Sequence, residues 1–127
     1  MANEAAHTST IELKDGYGEV KIADEVLAII AGLAAADVKG VASMAGNATR
    51  DLIEKLGWKS LTKGVRVQVD ETSIRVAINV NLKYGFNVPD TCAQIQDKVK
   101  TALETMTGLE VTGVNIKIVN VVMDNDK

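Results

Sequence analysis

Two side chains in this sequence have the intrinsic reactivity for nucleophilic or acid–base chemistry at neutral pH, and each type occurs once: His7 and Cys92. A Ser–His or Cys–His nucleophile needs its imidazole held in hydrogen-bond reach and oriented by a third group. His7 lies in a polar amino-terminal stretch with no sustained period, so no fixed orientation is expected for it. Zinc needs three or four converging Cys, His or carboxylate ligands. One Cys and one unpositioned His cannot supply a structural zinc site. Cys92 falls on the apolar stripe of a predicted helix and reads as a small buried hydrophobe. Its place in the first turn of that helix, where a thiol pKa is lowered, is the one argument for a reactive thiol.

Carboxylates adjoin at Asp24/Glu25, Asp70/Glu71 and Asp124/Asp126. The first pair fits a helix start, the second a turn and the third a chain end. General acid–base work needs a sheltered carboxyl with a shifted pKa, and these positions read as solvated. Neither a GxGxxG fingerprint nor a phosphate-binding Gly-Lys-Ser/Thr loop is present. No catalytic residue, metal ligand, cofactor or small-molecule substrate is therefore expected, and the chain reads as a non-enzyme.

What remains is surface. Residues 50–66 carry Arg50, Lys55, Lys59, Lys63 and Arg66 against Asp51 and Glu54, a local balance of +3 in a chain of net charge −3. The only tryptophan, Trp58, sits inside this stretch. It reads either as a solvated connector with Trp58 tucked against the core, or as a docking patch for an acidic partner or a membrane surface. Tryptophan and arginine are frequent binding hot spots, so Arg50, Lys55, Trp58, Lys59, Lys63 and Arg66 are the candidate partner-binding residues.

The elements that must position these residues follow from periodicity. Residues 1–15 read as a mobile tail, 16–122 as one domain, and 123–127 as a second short tail. Glu19–Ile22 fits a short strand. A helix is predicted from about Ala23 to Asp37, with Gly40 just past its end. Val26, Ile29, Ile30, Leu33 and Ala34 form its stripe, and Leu27, Ala28, Ala31, Ala35 and Ala36 fill the remaining circumference. A helix apolar nearly all round is buried on more than one side. It is either a central helix against the sheet or a subunit contact through Leu27, Ala31 and Ala35. Val41–Met44 fits a short strand, and Asn47–Leu56 a short helix.

The period then changes to two. Val65, Val67 and Val69 alternate with Arg66 and Gln68. Ile74, Val76, Ile78, Val80 and Leu82 alternate with Arg75, Ala77, Asn79, Asn81 and Lys83. The short linker 70–73 makes these an antiparallel hairpin with one buried and one wet face. Asn87-Val-Pro-Asp90 opens a long helix with the stripe Cys92, Ile95, Val99, Ala102, Leu103 and Met106, ended by Gly108. Residues 110–122 form a last strand whose alternation slips near Val119 and Val121. The slip reads as a bulge or as an edge used for self-association. The sum is an α+β fold: a small, mostly antiparallel sheet of about three main strands with helices packed on one face. A right-handed crossover would put the final strand beside the 65–69 strand.

Composition agrees with one domain. The chain has 127 residues, 46% of them apolar, but only four aromatics. The core must therefore be built from Val, Ile, Leu and Ala. The longest apolar run, Val26–Ala36, is far short of the roughly 20 residues of a membrane span. No secretory signal is read in residues 1–10, and one cysteine excludes an intrachain disulfide.

The order of several segments is familiar. Gly18-Glu-Val-Lys-Ile-Ala-Asp-Glu-Val26 is followed by Ile30-Ala-Gly-Leu-Ala-Ala-Ala36 and Val38-Lys-Gly-Val41. Next come Leu56-Gly-Trp-Lys59, Lys63-Gly-Val-Arg-Val-Gln-Val69, Met106-Thr-Gly-Leu-Glu-Val111 and Val114-Asn-Ile-Lys-Ile-Val119. Over about residues 16–122 this resembles the alkaline shock protein family of Gram-positive bacteria, general-stress proteins of the envelope stress response. The resemblance implies a cytoplasmic, non-enzymatic protein of envelope homeostasis. It further implies a homo-oligomer held at the membrane peripherally, through an integral membrane anchor protein. The family has no catalytic residues to carry over.

The rival expectation is a small nucleic-acid-binding α+β domain. The wet sheet face offers Arg66, Arg75 and Lys83, but it lacks the stacking aromatics and the GxxG clamp that such domains use. No nucleic acid is therefore expected as partner.

Overall fold

The computed structural model describes residues 8–12, 18–44 and 62–123. The predicted helix at Asn47–Leu56 and the last tail lie outside these residues.

Four strands form the main sheet. The first three are β3 (Val41–Met44), β4 (Val65–Val69) and β5 (Ser73–Lys83), and the last is β6 (Glu110–Val122). β5 is its centre. Ile74, Val76, Ile78, Val80 and Leu82 point to one face and are buried; Arg75, Ala77, Asn79 and Lys83 point to the other and are exposed. β4 lies antiparallel along the first half of β5, with Val65 opposite Ile78 and Val69 opposite Ile74. β3 lies antiparallel along the second half, with Val41 opposite Leu82. These two short strands share one edge. β6 takes the other edge and runs parallel to β5, from Glu110 beside Ser73 to Val122 beside Lys83.

This corrects the expected position of the last strand. It sits beside β5, not beside the 65–69 strand. With 13 residues it matches the 11 of β5, whereas β4 has 5. The longer pairing leaves fewer backbone groups without partners. Two of the three pairings in the sheet are antiparallel and one is parallel. The slip in alternation is a bulge: the ladder passes from Ile118 to Asn120 and skips Val119.

Among the described residues, two helices cover the buried face. α1 spans Asp24–Ala36 and buries Leu27, Ala28, Ala31, Gly32 and Ala35. It packs against β3, β4 and α2, the helix Val88–Thr107. Asp24 and Glu25 place carboxylates at its positive end. In α2 the Asn87 side chain accepts a hydrogen bond from the Asp90 N–H at 2.9 Å, Pro89 occupies the first turn, and Gly108 ends the helix at φ +75°.

The buried line of α2 is Thr91, Ile95, Val99, Leu103 and Thr107. Cys92 and Ala102 are only half-buried, and Met106 is 67% exposed. The expected stripe assumed a face fixed along the helix axis. The observed line advances in steps of four residues, which drift round a helix by about 40° each. A helix packed along such a ridge crosses its support at an angle, and by its last turn the buried side has left Met106. Threonine is tolerated on that line because its hydroxyl is satisfied: Thr107 Oγ1 donates to the Leu103 carbonyl at 2.7 Å and accepts from the Leu109 N–H at 3.1 Å.

A separate two-stranded ribbon precedes α1. β1 (Thr8–Glu12) pairs antiparallel with β2 (Glu19–Ala23), Thr8 opposite Ala23 and Glu12 opposite Glu19. Part of the expected mobile tail is thus a strand. The β-branched residues Thr8, Thr10 and Ile11 suit that conformation. A period was absent because β2 buries no residue fully, so nothing selects alternation.

Among the described residues the largest inaccessible side chains are Leu27, Ile74, Val76, Ile78, Val80, Leu82, Ile95, Val99 and Leu103. Each contributes roughly 1.5–3 kcal/mol of transfer free energy. The Lys98–Asp37 ion pair joins α2 to the turn after α1 at 2.9 Å, with both side chains at least half exposed; such a pair adds only about 0–1 kcal/mol. Aliphatic burial therefore decides the fold.

Candidate interaction surfaces

The reactive side chains do not converge. Cys92 is a free, half-buried thiol, and burial raises its pKa above the ordinary value. Its position in the first turn of α2 does not activate it. His7 lies outside the described residues. Among the described residues no group of three or more His, Cys, Asp or Glu side chains is placed to hold a metal ion.

Glu104 is the carboxylate with the most defined surroundings. Its Oε2 accepts from the Val111 backbone N–H at 2.9 Å and from Lys100 Nζ at 3.1 Å. The Val111 hydrogen bond, then Lys100, lower its pKa. Its task is structural. It ties the last turn of α2 to the start of β6, and Lys100 offsets a negative charge near the negative helix end.

Of the candidate partner-binding residues, Arg50, Lys55, Trp58 and Lys59 lie outside the described residues. Lys63 is exposed in a short turn before β4, and Arg66 is exposed on β4. Of the candidate self-association residues, Leu27, Ala31 and Ala35 have no exposed surface at all. That corrects the idea of a subunit contact through them. The small side chains of Ala31 and Ala35 let α1 approach α2 and the sheet of its own chain, and Leu27 fills the core between them. Val119 and Val121, by contrast, are exposed.

Two surfaces stand out. The first is an apolar end of the sheet. Exposed Val119, Val121 and Val122 close β6 with Met123 just beyond it, the turn after β5 adds Tyr84 (66% exposed) and Phe86, and the start of α2 adds Val88. The Tyr84 N–H donates to the Val122 carbonyl at 2.9 Å, which fixes the two groups side by side. Sequence reading found Val119 and Val121 through the slipped alternation. It missed Tyr84 and Phe86, since an aromatic in a turn gives no periodic signal.

The second is the face of the sheet that no described element covers. It presents Arg66 and Gln68 from β4, Arg75, Ala77, Asn79 and Lys83 from β5, and Asn115, Lys117 and Asn120 from β6, all exposed. Lys117 joins Arg66, Arg75 and Lys83 only because β6 pairs with β5.

The comparisons with known proteins fit this architecture. Residues 12–123 match the model of the alkaline shock protein 23 family, described as having a cell envelope-related function. The chain belongs to this alkaline shock protein family. It is 36% identical over 107 residues to the uncharacterized protein YqhY of Bacillus subtilis, covering 84% of this chain and 79% of YqhY. It is 34% identical over 118 residues to YloU of the same organism, covering 91% of this chain and 98% of YloU. A stress response regulator gls24 homolog of Streptococcus pyogenes is 30% identical over 105 residues, covering 82% of this chain and 59% of that protein. No solved structure gives a significant match. The expected alkaline shock and general-stress resemblance is thereby borne out. These relatives come from Gram-positive bacteria. Among the described residues, no helix of this alkaline shock family member is long and apolar enough to cross a membrane.

Proposed function

We propose that this protein serves the envelope stress response by association, joining copies of itself and a membrane-anchored partner, and turns over no substrate. The observation that carries this reading is the apolar end of the sheet. Seven large apolar side chains, from Tyr84 to Val88 and from Val119 to Met123, stand exposed beside a long strand. The outer edge of β6 has no strand partner among the described residues. Water disfavours such a patch, and an open strand edge offers unpaired backbone groups to another chain. Exposed apolar side chains gathered at one end of a sheet are a common mark of a protein–protein contact.

The family's cell envelope-related function and the stress regulators among the relatives support the physiological setting. The cytoplasm is the proposed location, with the anchor partner supplying contact with the membrane. Residues 50–66, rich in Lys and Arg around Trp58, are the proposed contact with that anchor.

Capture from detergent-solubilised native membranes tests the partner arm. An integral membrane protein retained by the wild-type chain and lost with Trp58→Ala and Lys59→Glu is the expected result. Equal capture by all three chains would remove the 50–66 contact.

A further inference from the structure

The uncovered face of the sheet carries charge of one sign. Arg66, Arg75, Lys83 and Lys117 are its four ionic side chains across β4, β5 and the middle of β6. Among the described residues none of them has an ion pair. The nearest carboxylates on the strands and their connection, Asp70, Glu71 and Glu110, gather at one end, where β4 turns into β5 and β6 begins. The other exposed polar positions are amides: Gln68, Asn79, Asn115 and Asn120. A chain of net charge −3 thus places four cations on one open face.

The face is shaped as well as charged. A shallow notch of about 390 Å³ runs along Arg66–Gln68 of β4 and Arg75–Ala77 of β5, with Asn115 of β6. Ala77, opposite Arg66 on one side and beside Asn115 on the other, is its floor. Gly113, beside Arg75 on β6, leaves room for the arginine stem, whose Cγ and Cδ come within 3.7–3.8 Å of where a Cβ on that glycine would stand. Two guanidinium groups therefore share one notch, held there by a small-residue floor. Like charges brought together are stabilised by an anion between them, and guanidinium forks match carboxylates in paired hydrogen bonds.

We infer that this face docks an acidic polypeptide segment, its carboxylates on Arg66, Arg75, Lys83 and Lys117 and its peptide groups on the amides between them. Charge complementarity identifies the partner as anionic, and the amides choose among anions. Asn and Gln both donate and accept, which fits peptide groups. A single-stranded nucleic acid would require stacking surfaces, but no strand position on this face is aromatic, Tyr84 and Phe86 lying in the turn beyond the end of β5. A lipid surface would require several large apolar side chains among the cations; between Arg66, Arg75 and Lys117 this face has amides and Ala77, and Val122 stands beside Lys83 only at its far end.

The inference rests on the reading of the protein as an interaction module, and adds a surface and a partner chemistry to it. The test uses the full chain and a fluorescent poly-glutamate peptide at low ionic strength, read by anisotropy. Phosphatidylglycerol vesicles and a mixed-sequence single-stranded RNA are the competing probes. The side chains of Arg66 and Arg75 are exposed, so Arg66→Gln with Arg75→Gln leaves the core intact, and Lys117→Gln is a second, independent variant. Lys39→Gln, on the turn after α1, is the control. The expected result is poly-glutamate binding that weakens roughly tenfold in the double variant and measurably in Lys117→Gln, is unchanged in the control, and falls steeply with salt. Absence of poly-glutamate binding, equal binding by the double variant, or tighter binding of RNA or vesicles through the same arginines would overturn it. Light scattering on the same samples separates the two readings, because self-association persisting without poly-glutamate binding rejects this face alone.

Discussion

The ring of Phe86 lies over Gly40: a Cβ built on that glycine would fall 2.8 Å from Phe86 Cδ2 and 3.2 Å from Thr91 Cγ2. Gly40 is buried at φ +97°, between α1 and β3, and its carbonyl accepts from the Lys83 N–H at 2.7 Å. The Val38-Lys-Gly-Val41 stretch thus joins the first helix, the central strand and the start of the second helix at one point. Gly40→Ala is expected to cost about 1–3 kcal/mol in backbone strain alone. In a Phe86→Ala background the overlap is relieved and the cost falls toward that strain. A double-mutant cycle by urea unfolding measures the difference.

The winding of the buried line on α2 gives a second prediction. Leu103→Ala opens a cavity under a fully buried side chain and is expected to cost about 2–5 kcal/mol. Met106→Ala, three residues on, is expected to fall within about 0.5 kcal/mol of wild type. Thermal unfolding of both variants checks the rotation of the helix. Equal losses would place Met106 in the core.

Glu104 makes stability depend on pH in a known direction. Its folded pKa is lowered, so its stabilisation is present above the unfolded carboxylate pKa and fades as pH falls through the folded value. Glu104→Gln keeps an acceptor for the Val111 N–H and removes the charge. Wild type is expected to unfold at higher urea than this variant at neutral pH. The gap should narrow on acidification below the unfolded carboxylate pKa.

Cys92 is expected to alkylate slowly. Burial raises its pKa, so at mildly alkaline pH less of it is thiolate than in the unfolded chain. Iodoacetamide labelling in native buffer and in urea compares the two states. Faster labelling of the native protein would revive the idea of an activated thiol.

Much of the fold was legible because strong patterns encode strong burial. The alternations of 65–69 and 74–82 mark strands with one wet face, and the Asn87 cap and Gly108 end of α2 are local signals read correctly. What escaped detection lacks such a signal. The β1–β2 ribbon buries too little to impose a period. The side of β5 chosen by β6 depends on strand lengths and on the edge already taken by β3 and β4, which no single segment reports. For α1, an all-round apolar circumference left core and subunit contact open, and only packing showed Leu27, Ala31 and Ala35 to be interior. Of the surfaces, Arg66, Arg75 and Lys83 were legible as one wet face, and Val119 and Val121 through the slip. Their neighbours Lys117, Tyr84 and Met123 gather only when the sheet is assembled.

Association is the central claim, and sedimentation equilibrium over a range of protein concentrations tests it most directly. The wild-type chain is predicted to sediment as an oligomer whose mass rises with concentration. With Val119→Lys and Val121→Lys together it should shift toward a single chain while keeping its circular dichroism. A wild-type protein that stays monomeric at the highest concentration, or an oligomer indifferent to both substitutions, would contradict self-assembly through the apolar end of the sheet.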